Sequence, residues 1–144
     1  MTIKEKVFLL YKKNQFSEIL EILDFDLSDP DLVQLKSQCY FALGDRKLSY
    51  SFLTNHFEKN FFNINYFKNF INLTYRIKDF KKSLILLIKI ISNLDRKKLN
   101  DFYLLEIAKL YYIQNKHFLS NKYYKKILNL KNIKNRAFIN FHLG

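Results

Sequence analysis

Residues 66–77 read YFKNFINLTYRI and have the spacing of an amphipathic helix. Apolar side chains and one threonine recur there every three or four positions, which at about 100° per residue places them on one face. That face comprises Phe67, Phe70, Ile71, Thr74 and Ile77. The opposite face carries amides and cations, namely Asn65, Lys68, Asn69, Asn72 and Arg76. Because the alternation of a strand fits these positions badly, the stretch predicts a helix with one buried and one exposed face.

The same spacing predicts helices along the rest of the chain. Nine are expected, over residues 3–13, 16–24, 30–43, 46–58, 63–77, 80–93, 99–114, 118–130 and 134–144. The links within successive pairs are only a few residues long, which favours antiparallel hairpins. With only two glycines and one proline, the chain lacks the turn residues that a β-sandwich or barrel requires. The predicted fold class is all-α.

A small residue recurs near the start of the second helix of each later pair, at a period typical of helical repeats. Ser49 and Ser83 are 34 positions apart, and Ser83 and Ser120 are 37 apart. A small side chain at that place allows close approach of the two helices of a pair. The predicted units cover approximately residues 1–28, 29–61, 62–98 and 99–132, followed by a terminal helix at 133–144. Together they form one domain of residues 1–144.

The fourth unit carries the clearest motif. Its first helix has a large apolar, an aliphatic, a small and an aromatic residue at Leu104, Ile107, Ala108 and Tyr111, and its second helix has Ser120 followed by Tyr124. With these residues the chain resembles the tetratricopeptide repeat (TPR) family. The resemblance implies a right-handed superhelical solenoid of about four antiparallel helix pairs plus a final helix. In the second unit Lys36 stands where an aliphatic residue is expected. A plain helical bundle, a half-TPR repeat and an RNA-reading helical repeat are the alternatives.

The resemblance also implies a concave groove lined by the first helix of each pair. It suggests a protein–protein interaction scaffold that binds a peptide or partner helix and uses no cofactor. The implied groove residues are Asn65, Lys68, Asn69, Asn72, Arg76, Phe102, Leu105, Glu106, Lys109, Tyr112, Arg136 and Asn140. Lys68 and Asn72 match the start of the clamp by which some family members bind a terminal carboxylate. Glu106 stands where that clamp needs another asparagine, so a complete clamp is not expected.

Charge is distributed unevenly along the chain. The net charge is +12, yet residues 1–72 hold nine basic and nine acidic side chains, so the excess lies wholly in residues 73–144. The predicted helix 118–130 places Lys122, Lys125 and Lys126 on one exposed stripe, a possible face for anion contact. Nucleic-acid binding, RNA in particular, is therefore an alternative function, and an acidic protein partner is another. Coding bias is another explanation of the positive charge. The abundant Lys, Asn, Ile, Phe and Tyr all use AT-rich codons, and an AT-rich genome enriches lysine without selection for contacts with anions.

No constellation of catalytic or metal-binding residues is visible in the sequence. His56, His117 and His142 are far apart and lack ligands at metal-site spacing, and the single cysteine, Cys39, lies in an apolar helical stretch. A non-enzymatic protein without metal or cofactor is expected. The N-terminus lacks the apolar core of a secretory signal, which favours the cytoplasm. The sequence leaves open that the chain continues beyond Gly144 and is the repeat region of a larger enzyme such as a transferase.

Overall fold

The computed structural model describes residues 1–92 and 101–129, and these residues are helical apart from the segments that connect the helices. Within them lie nine helices: α1 (Ile3–Lys12), α2 (Phe16–Ile22), α3 (Pro30–Ala42), α4 (Arg46–Asn55), α5 (Phe57–Asn60), α6 (Ile64–Ile77), α7 (Phe80–Ser92), α8 (Asp101–Ile113) and α9 (His117–Leu128). The all-α prediction is confirmed. The predicted terminal helix, with Arg136 and Asn140, lies outside the described residues.

Short polar side chains begin several of these helices by accepting hydrogen bonds from backbone N–H groups that have no partner inside the helix. Thr2 and Glu5 form a reciprocal capping box at α1. Asp29 accepts from the Asp31 N–H at 2.8 Å, and Pro30 follows it in the first turn of α3, as the Asp-Pro pair predicts. Asn63 caps α6 in the same way through the Tyr66 N–H.

The turns between paired helices use residues that tolerate a left-handed backbone. Gly44 has φ +90° between α3 and α4, and Asn115 has φ +61° between α8 and α9. The sequence predicts turns at both positions. Asn14 has φ +58° between α1 and α2, and Lys78 has φ +64° at the end of α6. Asparagine is favoured in this conformation after glycine, whereas lysine is unusual there.

The predicted helix over residues 46–58 is wrong in one respect, because it is broken at His56. The backbone of His56 leaves helical geometry at φ −102°, ψ 7°, so that α4 ends at Asn55 and the short α5 begins at Phe57. Side chains supply hydrogen bonds around the break: Asn60 Nδ2 donates to the His56 carbonyl at 2.8 Å, and His56 Nδ1 lies 2.9 Å from the Phe52 carbonyl oxygen. Such local polar bonds compete with a continuous helix.

The chain divides into two compact units, Met1–Lys78 and Asp79–Gly144. In the first unit α3 packs closely on α4, where Ser49 Oγ donates to the Ser37 carbonyl at 2.8 Å. Their aromatic neighbours form a core around Phe57, whose ring centroid lies 4.4 Å from that of Phe70 and 6.4 Å from that of Phe67. Tyr66 adds a hydrogen bond from its hydroxyl to the Leu53 carbonyl, joining α6 to α4.

The second unit repeats the same helix contact between α8 and α9. Ser120 Oγ donates to the Ala108 carbonyl at 2.8 Å, and both residues are fully buried. Five buried side chains surround this contact: Leu104, Leu105, Ala108, Tyr124 and Ile127. Each of these serines lies 12 residues after its backbone acceptor, so the hairpins α3–α4 and α8–α9 use the same device. Ser83, the third small residue of the predicted period, is also buried.

Candidate functional site

An open cleft of about 250 Å³ lies within the first unit, mainly between α3 and α6. Residues from α1, α3, α4 and α6 line it: Tyr11, Gln34, Ser37, Gln38, Phe41, Ala42, Ser49, Leu53, Asn69, Asn72, Leu73 and Arg76. Its walls combine amide side chains with two aromatic rings and one guanidinium group. Among these described lining residues none carries an acidic side chain. The cleft can therefore offer hydrogen bonds, apolar contact and positive charge to a ligand.

A bridge of two amides joins the helices that form the cleft. Asn69 Nδ2 donates to Gln34 Oε1 at 2.5 Å, and Gln34 Nε2 donates to the Pro30 carbonyl at 3.1 Å. Gln34 is buried, and a buried amide is stable only when its polar atoms are paired. The bridge consequently holds α6 at a defined position against α3 and shapes the cleft between them.

Two cations lie beside the ring of Phe41, which lines the cleft together with Arg76. The guanidinium carbon of Arg76 lies 5.2 Å from the centroid of the Phe41 ring, and that of Arg46 lies 5.3 Å from the same centroid. Both distances are within the range of a cation–π interaction. Arg46 and Arg76 are exposed, and Phe41 is half-buried. Two exposed guanidinium groups are thus held within cation–π distance of the same ring.

The structure brings three of the predicted groove residues of α6 into the cleft. Asn69, Asn72 and Arg76 line it, whereas Asn65 and Lys68 are exposed on the same helix but do not line it. The polar face of α6 is exposed at Asn65, Lys68, Asn72 and Arg76 and half-buried at Asn69. The clamp pair Lys68 and Asn72 is divided accordingly, since only Asn72 contributes to the cleft wall.

The opposite wall, which α3 supplies through Gln34, Gln38 and Phe41, is not among the groove residues predicted from the sequence. These residues are spaced by four and three positions, so they lie on one face of the helix. That spacing was an available signal. It was hidden because α3 also carries apolar side chains on other faces, among them Val33, Leu35 and Cys39, all buried. A helix with so little polar contrast does not reveal which side meets solvent.

In the second unit the predicted groove residues differ in accessibility. Tyr112 is exposed, and Phe102 is half-buried. Leu105 is 5% exposed and packs in the core around Ala108, so its assignment to an accessible groove is wrong. Glu106 is buried as well, with its Oε1 3.6 Å from Lys109 Nζ. Adjacent α8 positions face the interior because this helix is buried over most of its circumference.

The chain resembles a solved structure in fold, at low sequence identity. No protein-family model matches it, and no curated protein matches it in sequence. Its fold is similar to that of MamA. The solved structure MamA MSR-1 C2 superposes with a TM-score of 0.60 at 14% identity, covering 98% of this chain and 80% of that chain. MamA is a TPR-like helical solenoid, so the likeness shows a TPR-like helical fold for this chain.

The predicted lysine stripe is exposed on α9. Lys122, Lys125 and Lys126 are all accessible, and Lys126 Nζ lies 4.7 Å from the centroid of the Tyr123 ring. The helix contains no acidic residue. The stripe is therefore a basic surface, and its contact with an anionic partner stays a prediction.

Other candidate chemistry is limited in the residues that the structure describes. Cys39 is fully buried, and burial raises the pKa of its thiol to about 11, so the reactive thiolate is scarce at neutral pH. No group of three His, Cys, Asp or Glu side chains in residues 1–92 and 101–129 is placed to hold a metal ion. In those same ranges no helix combines the length and apolarity needed to cross a bilayer.

Proposed function

We propose that this protein is a non-catalytic scaffold that binds an extended peptide of a partner protein in the cleft between α3 and α6. The observation that carries the proposal is the composition of that cleft, which combines amides from both helices with apolar side chains and one guanidinium group. The fold agrees with this role, because MamA is a TPR-like protein-interaction domain.

The amides are suited to the backbone of an extended peptide. A peptide in extended form presents N–H and C=O groups along its length, and each asparagine or glutamine amide has both a donor and an acceptor. Asn72 is exposed and available from α6, and Gln38 is half-buried on α3. The hydrogen bond between Asn69 and Gln34 holds the two walls of the cleft in place before the peptide binds. Less conformational entropy is therefore lost when the peptide binds.

The size and openness of the cleft favour a peptide over an enclosed small molecule. Its volume of about 250 Å³ is below the ~300–1,000 Å³ typical of pockets that surround a small ligand. A peptide needs only to place two or three side chains in such a cleft while the rest of its length lies along the surface. Tyr11 and Phe41 provide aromatic contact area for these side chains.

The test begins with a display library of random dodecapeptides selected against the full chain. Binding of selected peptides is then measured by fluorescence anisotropy for the wild type and for Asn72→Trp, which places an indole in the cleft. We expect affinity to fall at least about tenfold in Asn72→Trp. Asn65→Trp is the matched control, because Asn65 is exposed on the same helix and does not line the cleft.

Two results would count against the proposed function. One is failure of the library to yield any peptide that binds above background. The other is equal loss of binding in Asn72→Trp and Asn65→Trp while circular dichroism shows both variants folded.

Anisotropy with single-stranded RNA, for the wild type and a Lys122/Lys125/Lys126→Ala triple variant, then tests the basic surface of α9. Salt-dependent RNA binding that the triple variant loses would favour the nucleic-acid alternative.

A further inference from the structure

The Phe41 ring and its two arginines have a property that the cleft amides lack, namely concentrated positive charge. In the described part of the chain no carboxylate lies within ion-pair distance of Arg46 or Arg76, while Lys4 and Lys109 do have such partners. Asp45, which precedes Arg46 in the sequence, uses its Oδ1 to accept the Leu48 N–H at the start of α4. The positive charge of the two guanidinium groups is thus not balanced by a local ion pair.

Packing against an aromatic ring leaves the hydrogen-bonding capacity of a guanidinium group available. The guanidinium group is attracted to the ring through its planar face and its positive charge. Its five N–H donors point outward in the plane of the group and stay available. A carboxylate can accept two of these donors in parallel, and such paired contacts are stronger than contacts with neutral acceptors. Contact with Phe41 also restricts both side chains, so less entropy is lost when an acceptor binds.

We propose that Arg46 and Arg76 together bind an acidic side chain, Asp or Glu, of the peptide held in the cleft. The inference rests on the proposed function and names one chemical requirement of its partner. The amides that would bind the peptide backbone lie one helical turn from this cluster. Asn72 precedes Arg76 by four residues on α6, and Gln38 precedes Phe41 by three residues on α3. An acidic residue of the bound segment then lies beside the two arginines, and its flanking backbone contacts the amides.

The experiment uses the peptides selected by display, synthesised with amidated C-termini so that no terminal carboxylate takes part. Each acidic residue is replaced in turn by its amide, Glu by Gln or Asp by Asn. We expect one such replacement to weaken binding to the wild-type chain by about fivefold to tenfold. The Arg46→Gln/Arg76→Gln double variant should show the same loss with the acidic peptide and little further loss with the amide peptide.

Lys47→Gln is the matched control for general electrostatics. Lys47 adjoins Arg46 and is exposed, so this change also removes one positive charge from the N-terminus of α4. It should leave the preference for the acidic peptide intact. Arg76→Lys keeps the charge but removes the planar fork, and it should recover only part of the preference.

The outcomes separate the two proposals. Peptides that Asn72→Trp blocks, but that bind equally well in acidic and amide forms, overturn the acidic requirement and leave the cleft function intact. The same conclusion follows if the double arginine variant weakens both peptide forms equally. If no peptide binds in the cleft, both proposals fail together.

Discussion

At the scale of single residues, two buried serines set the distance between paired helices. Ser49 and Ser120 each donate a hydroxyl hydrogen bond to a carbonyl of the facing helix at 2.8 Å. The bond satisfies the hydroxyl in an apolar environment, and the small side chain lets the two backbones approach. A larger residue at either place has no room, because interiors are packed at crystal-like density.

We predict that Ser120→Ala and Ser120→Leu destabilise the protein to different degrees. Alanine removes one buried hydrogen bond and should lower the free energy of unfolding by about 1 kcal/mol. Leucine must push α9 away from α8, and the cost should reach about 3 kcal/mol. Urea unfolding followed by far-ultraviolet circular dichroism measures both. A similar loss in the exposed control Ser17→Leu would contradict this explanation.

Lys36 shows how one residue can depart from the repeat pattern for a structural reason. The tetratricopeptide pattern, which the sequence resembles, has an aliphatic side chain at this position. In the structure Lys36 Nζ donates to the Leu23 carbonyl at 3.0 Å and lies 5.3 Å from the centroid of the Phe52 ring. Leu23 is the C-cap residue that follows α2, so the ammonium group satisfies a carbonyl at a helix C-terminus.

At the scale of elements, the start of α3 combines a cap with an ion pair from α1. Asp29 accepts the Asp31 N–H at 2.8 Å, and Lys4 Nζ lies 3.2 Å from Asp29 and 2.8 Å from Asp31. Partial burial acts to raise the pKa of Asp29, but the hydrogen bonds from Asp31 and Lys4 outweigh it and the pKa is lowered. The charged form of Asp29 is therefore favoured by folding.

We predict that Asp29→Ala lowers the free energy of unfolding by about 1 kcal/mol at neutral pH through loss of the cap. Asp29→Asn should cost less, because asparagine also caps helices. Since folding lowers the pKa of Asp29, its charge contribution is complete above the ordinary value of 3.8 and is lost as pH falls through the lower folded value.

Unfolding measured between neutral pH and about pH 2 checks the sign of this dependence. The difference between the wild type and Asp29→Asn should shrink as the solution becomes more acidic. A difference that grows toward low pH would mean that folding raises the pKa of Asp29. Lys4→Met should reduce the same difference, because it removes one of the groups that favour the charged carboxylate.

At the scale of the whole molecule, the chain has two compact units, and Phe57 is central to the core of the first. Its ring contacts those of Phe61, Tyr66, Phe67 and Phe70. Because Phe57 is the first residue of the short α5, the break at His56 allows this ring to enter the core. The aromatic cluster therefore depends on the interruption of the predicted helix.

We predict that Phe57→Ala destabilises the protein by about 3–5 kcal/mol, as expected for truncation of a buried phenylalanine. Amide hydrogen exchange should accelerate most in α4, α5 and α6, where its neighbours lie. Acceleration in α8 and α9 should be smaller, because those helices have a separate core around Tyr124. Uniform acceleration across all described helices would instead indicate that the chain opens as one cooperative body.

Periodicity and short links in the sequence predicted most of the helices and their pairing. These features are local, because residues three and four apart share a helix face whatever the rest of the chain does. For the same reason α6, with its strong contrast between Phe70 on one side and Asn72 on the other, showed its exposed face directly. The buried serines at 49 and 120 were equally readable from their period and size.

Tertiary structure alone decided which exposed residues meet in a cleft and which polar residues are buried. The α3 wall, the Gln34–Asn69 bridge and the shared ring of Phe41 join residues that are tens of positions apart. Leu105 entered the core although the repeat pattern predicted a groove position. The physical reason is that burial depends on the neighbouring elements that cover a face, and a local pattern contains no information about those neighbours when the helix has little polar contrast.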